Sequence, residues 1–102
     1  MLASFSIVPL GVGEELKNHV AAIIDVIDKS GLDYKSGAMQ TTVEGDEEEV
    51  MELIMKCHHL MKEKAPRVLT HITIDDRKNA TKRLEGKISD VESVLGRKVS
   101  HE

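Results

Sequence analysis

The chain has 102 residues and carries 18 acidic side chains against 14 Lys and Arg, for a net charge of −4. Apolar residues make up 40% and charged residues 31%, a balance that specifies a folded domain rather than a disordered chain. The scattered bases argue against a nucleic-acid partner, which is held by clustered Lys and Arg that displace counterions.

The length suits a single domain over 1–102. A chain this short hides about two-thirds of its surface on folding, so self-association would add stability. Phe5 and Tyr34 are the only aromatic residues beside no Trp, which makes the core aliphatic. The single Cys57 excludes an internal disulfide and suits a reducing compartment. No apolar run reaches the ~20 residues that span a bilayer. Met1-Leu2-Ala3-Ser4-Phe5 lacks the basic segment of a secretory signal, so a cytoplasmic location and no membrane partner are expected.

Leu2 to Pro9 reads as a strand, with Phe5 and Ile7 on one face and Ser4 and Ser6 on the other. Pro9 has no N–H for a ladder, so the strand is expected to stop there, and 9–13 reads as a turn. A helix follows from about Glu14 to Ser30. Leu16, Val20, Ile23, Ile24 and Ile27 form one stripe at helical spacing. Glu14 and Glu15 suit the positive end of the helix dipole, and Gly31 suits the C-terminal cap.

Leu32–Met39 and Gln40–Gly45 read as two strands, with a bulge or bend at Ser36-Gly37. Asp46 is placed as an N-cap, and Glu49 three residues on completes a capping-box spacing. The second helix spans about Glu47–Lys64, with Val50, Leu53, Ile54, Cys57, Leu60 and Met61 as its apolar stripe, and Pro66 ends it. Arg67–Asp75 alternates as a strand. A third helix is expected from near Asn79 or Ala80 to Gly96, with Leu84, Ile88, Val91 and Leu95 on one face. The order strand-helix-strand-strand-helix-strand-helix is the ferredoxin-like βαββαβ pattern plus a C-terminal helix. The fold class is thus α+β, an antiparallel sheet with helices on one face.

Strand parity puts Ser4, Ser6, Thr42, Glu44, His71 and Thr73 on the helix-free side of the sheet. Antiparallel sheets often have one wet face. A merely solvated face usually carries long Lys, Glu and Arg side chains, whereas this one carries short hydroxyls, an acid and a His. Such groups suit a shallow polar pocket or a polar subunit interface.

Several runs, in order along nearly the whole chain, carry a family resemblance: 6–11 (SIVPLG), 30–34 (SGLDY), 39–45 (MQTTVEG), Arg67-Val68 and 72–77 (ITIDDR). Together they resemble the thiamine-binding protein family of small ferredoxin-like proteins. The resemblance implies a homo-oligomer, a dimer of dimers, that binds thiamine or its hydroxymethylpyrimidine part near subunit contacts. It carries the family's threonine and Glu-Gly pair onto Thr41, Glu44 and Gly45, and its Pro-Leu-Gly turn onto Pro9, Leu10 and Gly11. Gln40 stands where many members have Gly, which restricts the backbone there and alters the pocket.

The chemistry agrees with that implication. An aminopyrimidine offers N–H donors and ring-nitrogen acceptors. Glu44 can accept from the amino group in a charge-assisted bond and favour a thiazolium cation. The hydroxyls of Ser6, Thr41 and Thr42 can donate or accept. The candidate ligand-binding set is Ser6, Tyr34, Ser36, Thr41, Thr42, Glu44 and His71, with no metal ligands, catalytic residues or cofactor site.

Other constellations point to less. Cys57-His58-His59 contains metal-binding residue types, but adjacent helical residues point about 100° apart, and Cys57 falls on the apolar stripe. Asp75-Asp76-Arg77-Lys78 reads as a solvated turn, with Arg77, Lys78 and Arg67 as alternative anion contacts. Glu44 and His71 would be the acid/base pair of an enzymatic reading, but no nucleophile elbow or phosphate-binding loop accompanies them. An RNA-binding sheet would display stacking aromatics, and only Tyr34 is on offer. The reading is therefore a non-enzymatic small-molecule binder. Its alternative is a regulatory or structural homo-oligomer whose polar sheet face is only a subunit interface.

Overall fold

The computed structural model describes residues 1–13 and 16–78. The expected third helix, and Glu14 and Glu15 of the first, lie outside these residues. The elements in chain order are β1 (Leu2–Leu10), α1 (Leu16–Lys29), β2 (Asp33–Ser36), β3 (Thr41–Glu44), α2 (Glu47–Lys64) and β4 (Arg67–Asp75). The strands form one sheet in the order β2-β3-β1-β4, every neighbouring pair antiparallel.

The periodicities of the sequence account for the layers. Ala3 and Phe5 of β1 and Val43 of β3 are buried beneath Ile23 and Ile27 of α1 and Val50, Leu53, Ile54, Cys57 and Met61 of α2. This is one aliphatic core with a single buried ring. Leu60, the remaining member of the α2 stripe, packs at its edge. The α1 stripe is narrower than its spacing predicts, because Val20 is 49% exposed. Its neighbour across the gap is the β2–β3 connection rather than the core.

The helix ends follow local chemistry only in part. Gly31 takes a φ of +80° after α1, a conformation that costs a residue without Cβ little. The Ser30 hydroxyl donates to the Ile27 carbonyl at 2.6 Å and accepts from the Leu32 amide at 3.2 Å. Asp46 does occupy the N-cap of α2, with φ −66° and ψ 147°, but its carboxylate makes no cap hydrogen bond. The expected capping box is not formed. Glu47, Glu48 and Glu49 occupy the first turn, where their charge suits the helix dipole. Ala65 before Pro66 is extended, as the proline ring requires of its predecessor.

Two strand boundaries correct the sequence reading. Strands β2 and β3 have four residues each. Of the two alternatives at Ser36-Gly37, the chain takes the bend and not the bulge: the Gly37 amide donates to the Gln40 carbonyl at 2.8 Å, closing a hairpin with Ala38 and Met39 at its tip. Pro9 does not end β1, which pairs with β4 from Leu2↔Asp75 to Leu10↔Arg67. The register explains why. Met1 and Gly45 exchange two hydrogen bonds, at 2.8 and 3.1 Å, so alternate residues Ala3, Phe5, Ile7 and Pro9 direct their backbone groups to the β3 side. The pairing with β3 ends at Phe5↔Thr41. The N–H that Pro9 lacks would point to the β3 side beyond the end of β3, where no strand lies among the described residues.

Candidate functional site

The register sorts the candidate residues into two groups on opposite faces of the sheet. On the face that no helix among the described residues covers, one row across the strands runs Lys35, Thr42, Ser4, Thr73, and the next toward the chain start runs Asp33, Glu44, Leu2, Asp75. In the other direction lie Ser6 opposite His71 and Val8 opposite Leu69. The Thr42 hydroxyl donates to the Ser4 hydroxyl at 3.3 Å across the β1–β3 pair, which is the cross-strand contact that short hydroxyls make on a pleated face. Thr42, Glu44 and Ser6 are half-buried and His71 is exposed on the edge strand.

Glu44 and His71 are not a pair. Glu44 shares a row with Leu2, and His71 shares one with Ser6. Four residues of strand separate the rows, about 13 Å at the usual rise. The acid/base reading of these two residues therefore fails on geometry.

The second group lies on the helix side. Where β3 stops and β1 continues, a cavity of about 270 Å³ opens between α1 and the β2–β3 hairpin. Ser36, Gln40 and Thr41 line its hairpin wall, Ser6 and Ile7 its strand wall, and Val20 and Ile23 its helix wall. Met39 at the hairpin tip is 87% exposed. Polar groups on the hairpin and strand walls facing aliphatic side chains of the helix are the usual composition of a small-molecule site. The volume falls just under the usual range for drug-sized ligands, which suits one ring with short substituents.

Tyr34 belongs to neither group. It pairs with Val43 on the helix-facing side of the sheet and packs at the core edge. Its hydroxyl donates to the Asp28 carboxylate at 2.9 Å. That bond, followed by burial and the Asp28 charge, raises the phenol above its ordinary value. A larger groove of about 530 Å³ crosses the outer surfaces of α1 and α2. Its walls carry Asp25, Lys29, Glu49, Glu52 and Lys56, and Lys29 is bonded to Asp25 at 2.9 Å, both well exposed. Val26, Leu32 and Leu53 form its floor beneath these charges, so it is a charged, solvated groove rather than a cavity closed by a hairpin.

Sequence reasoning named Ser6, Ser36 and Thr41 of the hairpin cavity's lining but missed its aliphatic walls and Gln40. Val20 reads as core by its spacing, and Gln40 entered only as a departure from a pattern. The signal that finds them is the short length of β3 relative to β1. The Cys57-His58-His59 run is explained by the fold. Cys57 is fully buried, and loss of solvation pushes its thiol up to about 11. His58 shares a hydrogen bond of 2.7 Å between its Nδ1 and the Thr70 hydroxyl of β4. Its ring meets that of His59 edge-on at 5.7 Å.

These features define a ferredoxin-like α+β domain with two helices over one sheet face, a polar opposite face, and a cavity where its inner strand outruns its neighbour. The same fold is seen in a hypothetical protein of Methanocaldococcus jannaschii, with a TM-score of 0.81 and 31% identity, covering 88% of this chain and 93% of that one. It is seen again in a Thermotoga maritima protein provisionally described as serving thiamine biosynthesis or salvage, with a TM-score of 0.78, 27% identity, and coverage of 88% and 96%. A UPF0045 protein of Mycobacterium bovis is 38% identical over 96 residues, 93% of this chain and 94% of the relative. The model of the family described as "Thiamine-binding protein" matches residues 3–92. The chain belongs to the thiamine-binding protein family.

Proposed function

We propose that this protein binds thiamine or its hydroxymethylpyrimidine moiety without catalysing a reaction on it. The observation that carries the reading is the hairpin cavity, where Ser36, Gln40 and Thr41 face an aliphatic floor. An aminopyrimidine ring needs this combination: hydroxyl and amide groups that can donate or accept, and apolar walls for its faces. The family description points to the same ligand class. Thr42 and Glu44 lie on the reverse side of β3 from this cavity. They serve a ligand only where it, or a second subunit, reaches the helix-free face. In this reading the protein is a cytoplasmic homo-oligomer, a dimer of dimers, and subunit packing completes the site.

Calorimetric titration with thiamine and with hydroxymethylpyrimidine tests the reading. Saturable heat with either compound is expected, weakened by Thr41→Val. No heat with either at millimolar concentration would remove both as ligands.

One observation favours the alternative for the open face. Val8 and Leu69, a directly opposed pair on the helix-free side, are 41% and 40% exposed beside the polar rows. An apolar pair flanked by hydroxyls suits a subunit interface. On that reading Glu44→Ala disturbs the assembly state seen by light scattering. On the binding reading Glu44→Ala leaves the assembly intact, and it is Thr41→Val, in the cavity lining, that weakens the ligand.

A further inference from the structure

We propose that the ligand in the hairpin cavity is read by the main chain of β1, through the amide N–H and carbonyl of Ile7. This rests on the cavity being the ligand site. It adds the group that selects the ligand and the chemical pattern selected: a planar heterocycle that presents a ring-nitrogen acceptor beside an amino donor on one edge.

The register carries the argument. The two bonds exchanged by Met1 and Gly45 set the phase of the β1–β3 ladder. In an antiparallel pair the bonded positions then recur every second residue, at Ala3↔Val43 and Phe5↔Thr41. The next position on β1 is Ile7. Beyond Thr41 the chain turns into the hairpin, where Gln40 accepts from Gly37 instead. Ile7 therefore has no β3 residue opposite it. On its other side, the β1–β4 ladder bonds through the residues between, Ser4, Ser6 and Val8, and Ile7↔Thr70 is a non-bonded position. The Ile7 N–H and carbonyl both point into the gap that the cavity occupies.

Pro9, the next residue of the same parity, has no donor to leave unpartnered, so the polar requirement of this edge concentrates on Ile7. Among the described residues this half-enclosed main-chain donor and acceptor have no partner, and such groups carry a free-energy cost. A ligand edge that supplies both partners removes it. In extended backbone the N–H and C=O of one residue point the same way, so a ring bearing an acceptor beside a donor meets both at once. That is β-strand addition carried out by a small molecule. Thr41, Ser36 and Gln40 then contact the ring substituents, and Val20 and Ile23 its face.

Amide-resolved NMR tests the proposal in two stages. In the free protein, the Ile7 amide should exchange with solvent far faster than those of Ser6 and Val8, its neighbours in the β4 ladder. On addition of hydroxymethylpyrimidine or 4-aminopyrimidine, the Ile7 amide should shift downfield and gain protection. A ring of the same shape with methyl in place of the amino group should bind about fivefold to tenfold more weakly, the loss expected for one neutral hydrogen bond. Ile7→Pro removes the N–H at a position that, like Pro9, is not needed by β4. Ile7→Ala removes the side chain and keeps the N–H. Binding should fall further in the proline variant than in the alanine variant. If the alanine variant loses as much as the proline variant, the side chain rather than the N–H is the contact, and the proposal fails. Slow exchange at Ile7 in the free protein overturns it. Ligand shifts at Ser36, Gln40 and Thr41 with Ile7 unmoved overturn it while leaving the cavity as the site. No shift with any of the compounds overturns the cavity reading and this one together.

Discussion

Gly11 closes the turn after β1, and replacing it should be among the most damaging single changes outside the core. Its φ is +83°, where an L side chain costs about 1–2 kcal/mol. A Cβ built there would also lie 2.7 Å from the Cγ and 3.4 Å from the Cδ of Pro66. Carbon pairs prefer about 3.5–4.0 Å, and relieving an overlap of this size costs about 1–3 kcal/mol. Gly11→Ala should therefore destabilise the fold by about 2–5 kcal/mol, a large share of the roughly 5–15 kcal/mol that holds a domain together. At about 4–8 °C per kcal/mol for a chain of this size, the melting temperature should fall by about 10 °C or more. Urea unfolding followed by circular dichroism measures it. The two contributions separate in a double-mutant cycle with Pro66→Ala, which removes the ring but not the φ strain. In that background Gly11→Ala should cost only about 1–2 kcal/mol, leaving a coupling of about 1–3 kcal/mol. An equal cost in both backgrounds would refute the steric argument. A cost below 1 kcal/mol in the parent would refute both.

Cys57 gives the protein a stability that depends on alkaline pH. Its folded thiol lies at about 11, against an ordinary value of 9.0. Between those values the unfolded chain has released the proton and the folded chain keeps it, so stability falls as pH rises from 9 to 11. At about 1.4 kcal/mol per unit the loss reaches about 2–3 kcal/mol. Denaturant unfolding at pH 8 and 10.5 should show that slope in the parent and a shallower one in Cys57→Ala. For the same reason the native thiol should react with a disulfide reagent at pH 8 only as fast as the protein unfolds. Thr70→Val removes the hydroxyl bonded to His58 at 2.7 Å and should cost about 1 kcal/mol, read from the same unfolding curves. Thr41→Val is isosteric, so calorimetry should show about fivefold to tenfold weaker binding with an unchanged melting temperature.

How the sequence encodes the fold is clearest where one pattern acts alone. Helix α2 runs Glu47–Lys64 and β4 runs Arg67–Asp75, as their spacing predicts, because an unbroken apolar stripe or alternation is bounded at both ends by strong punctuation. The polar face is equally legible: Ser4, Ser6, Thr42, Glu44, His71 and Thr73 follow from period two and the register confirms their rows. Parity does not give strand length. Ser36-Gly37 allows a bulge or a bend, and nothing in Leu32–Met39 chooses between them. Nothing in the β1 sequence says that its last half lacks a neighbour. Pro9 was the clue, since a proline within a strand marks an edge or an unbonded position. Read as a terminator it hides the open edge, and read as an edge marker it finds it. Tyr34 misled for the opposite reason. An aromatic side chain near a polar segment suggests stacking, but its parity with Val43 sends it to the core side.

The mismatch between nine-residue β1 and four-residue β3 also explains how one short segment can serve two purposes. Thr41, Thr42 and Glu44 fall on alternate faces because a strand has no choice in the matter. Thr41 turns to the hairpin cavity, while Thr42 and Glu44 turn to the open face. A ligand held against Ile7 and Thr41 therefore sits on the reverse side of the sheet from Thr42 on β3 and from the Val8–Leu69 pair on β1 and β4. Any shift of β3 along β1 on ligand binding would move both at once. Covering the open face with a second subunit would in turn hold β3 in register and keep the gap beyond Thr41 at its length. On these grounds binding and assembly should be thermodynamically linked, and the linkage must be reciprocal. Titrations at protein concentrations above and below the assembly transition should give different affinities, with ligand shifting the assembly midpoint by the same factor. Equal affinities on both sides of the transition would show that the two faces of β3 act independently.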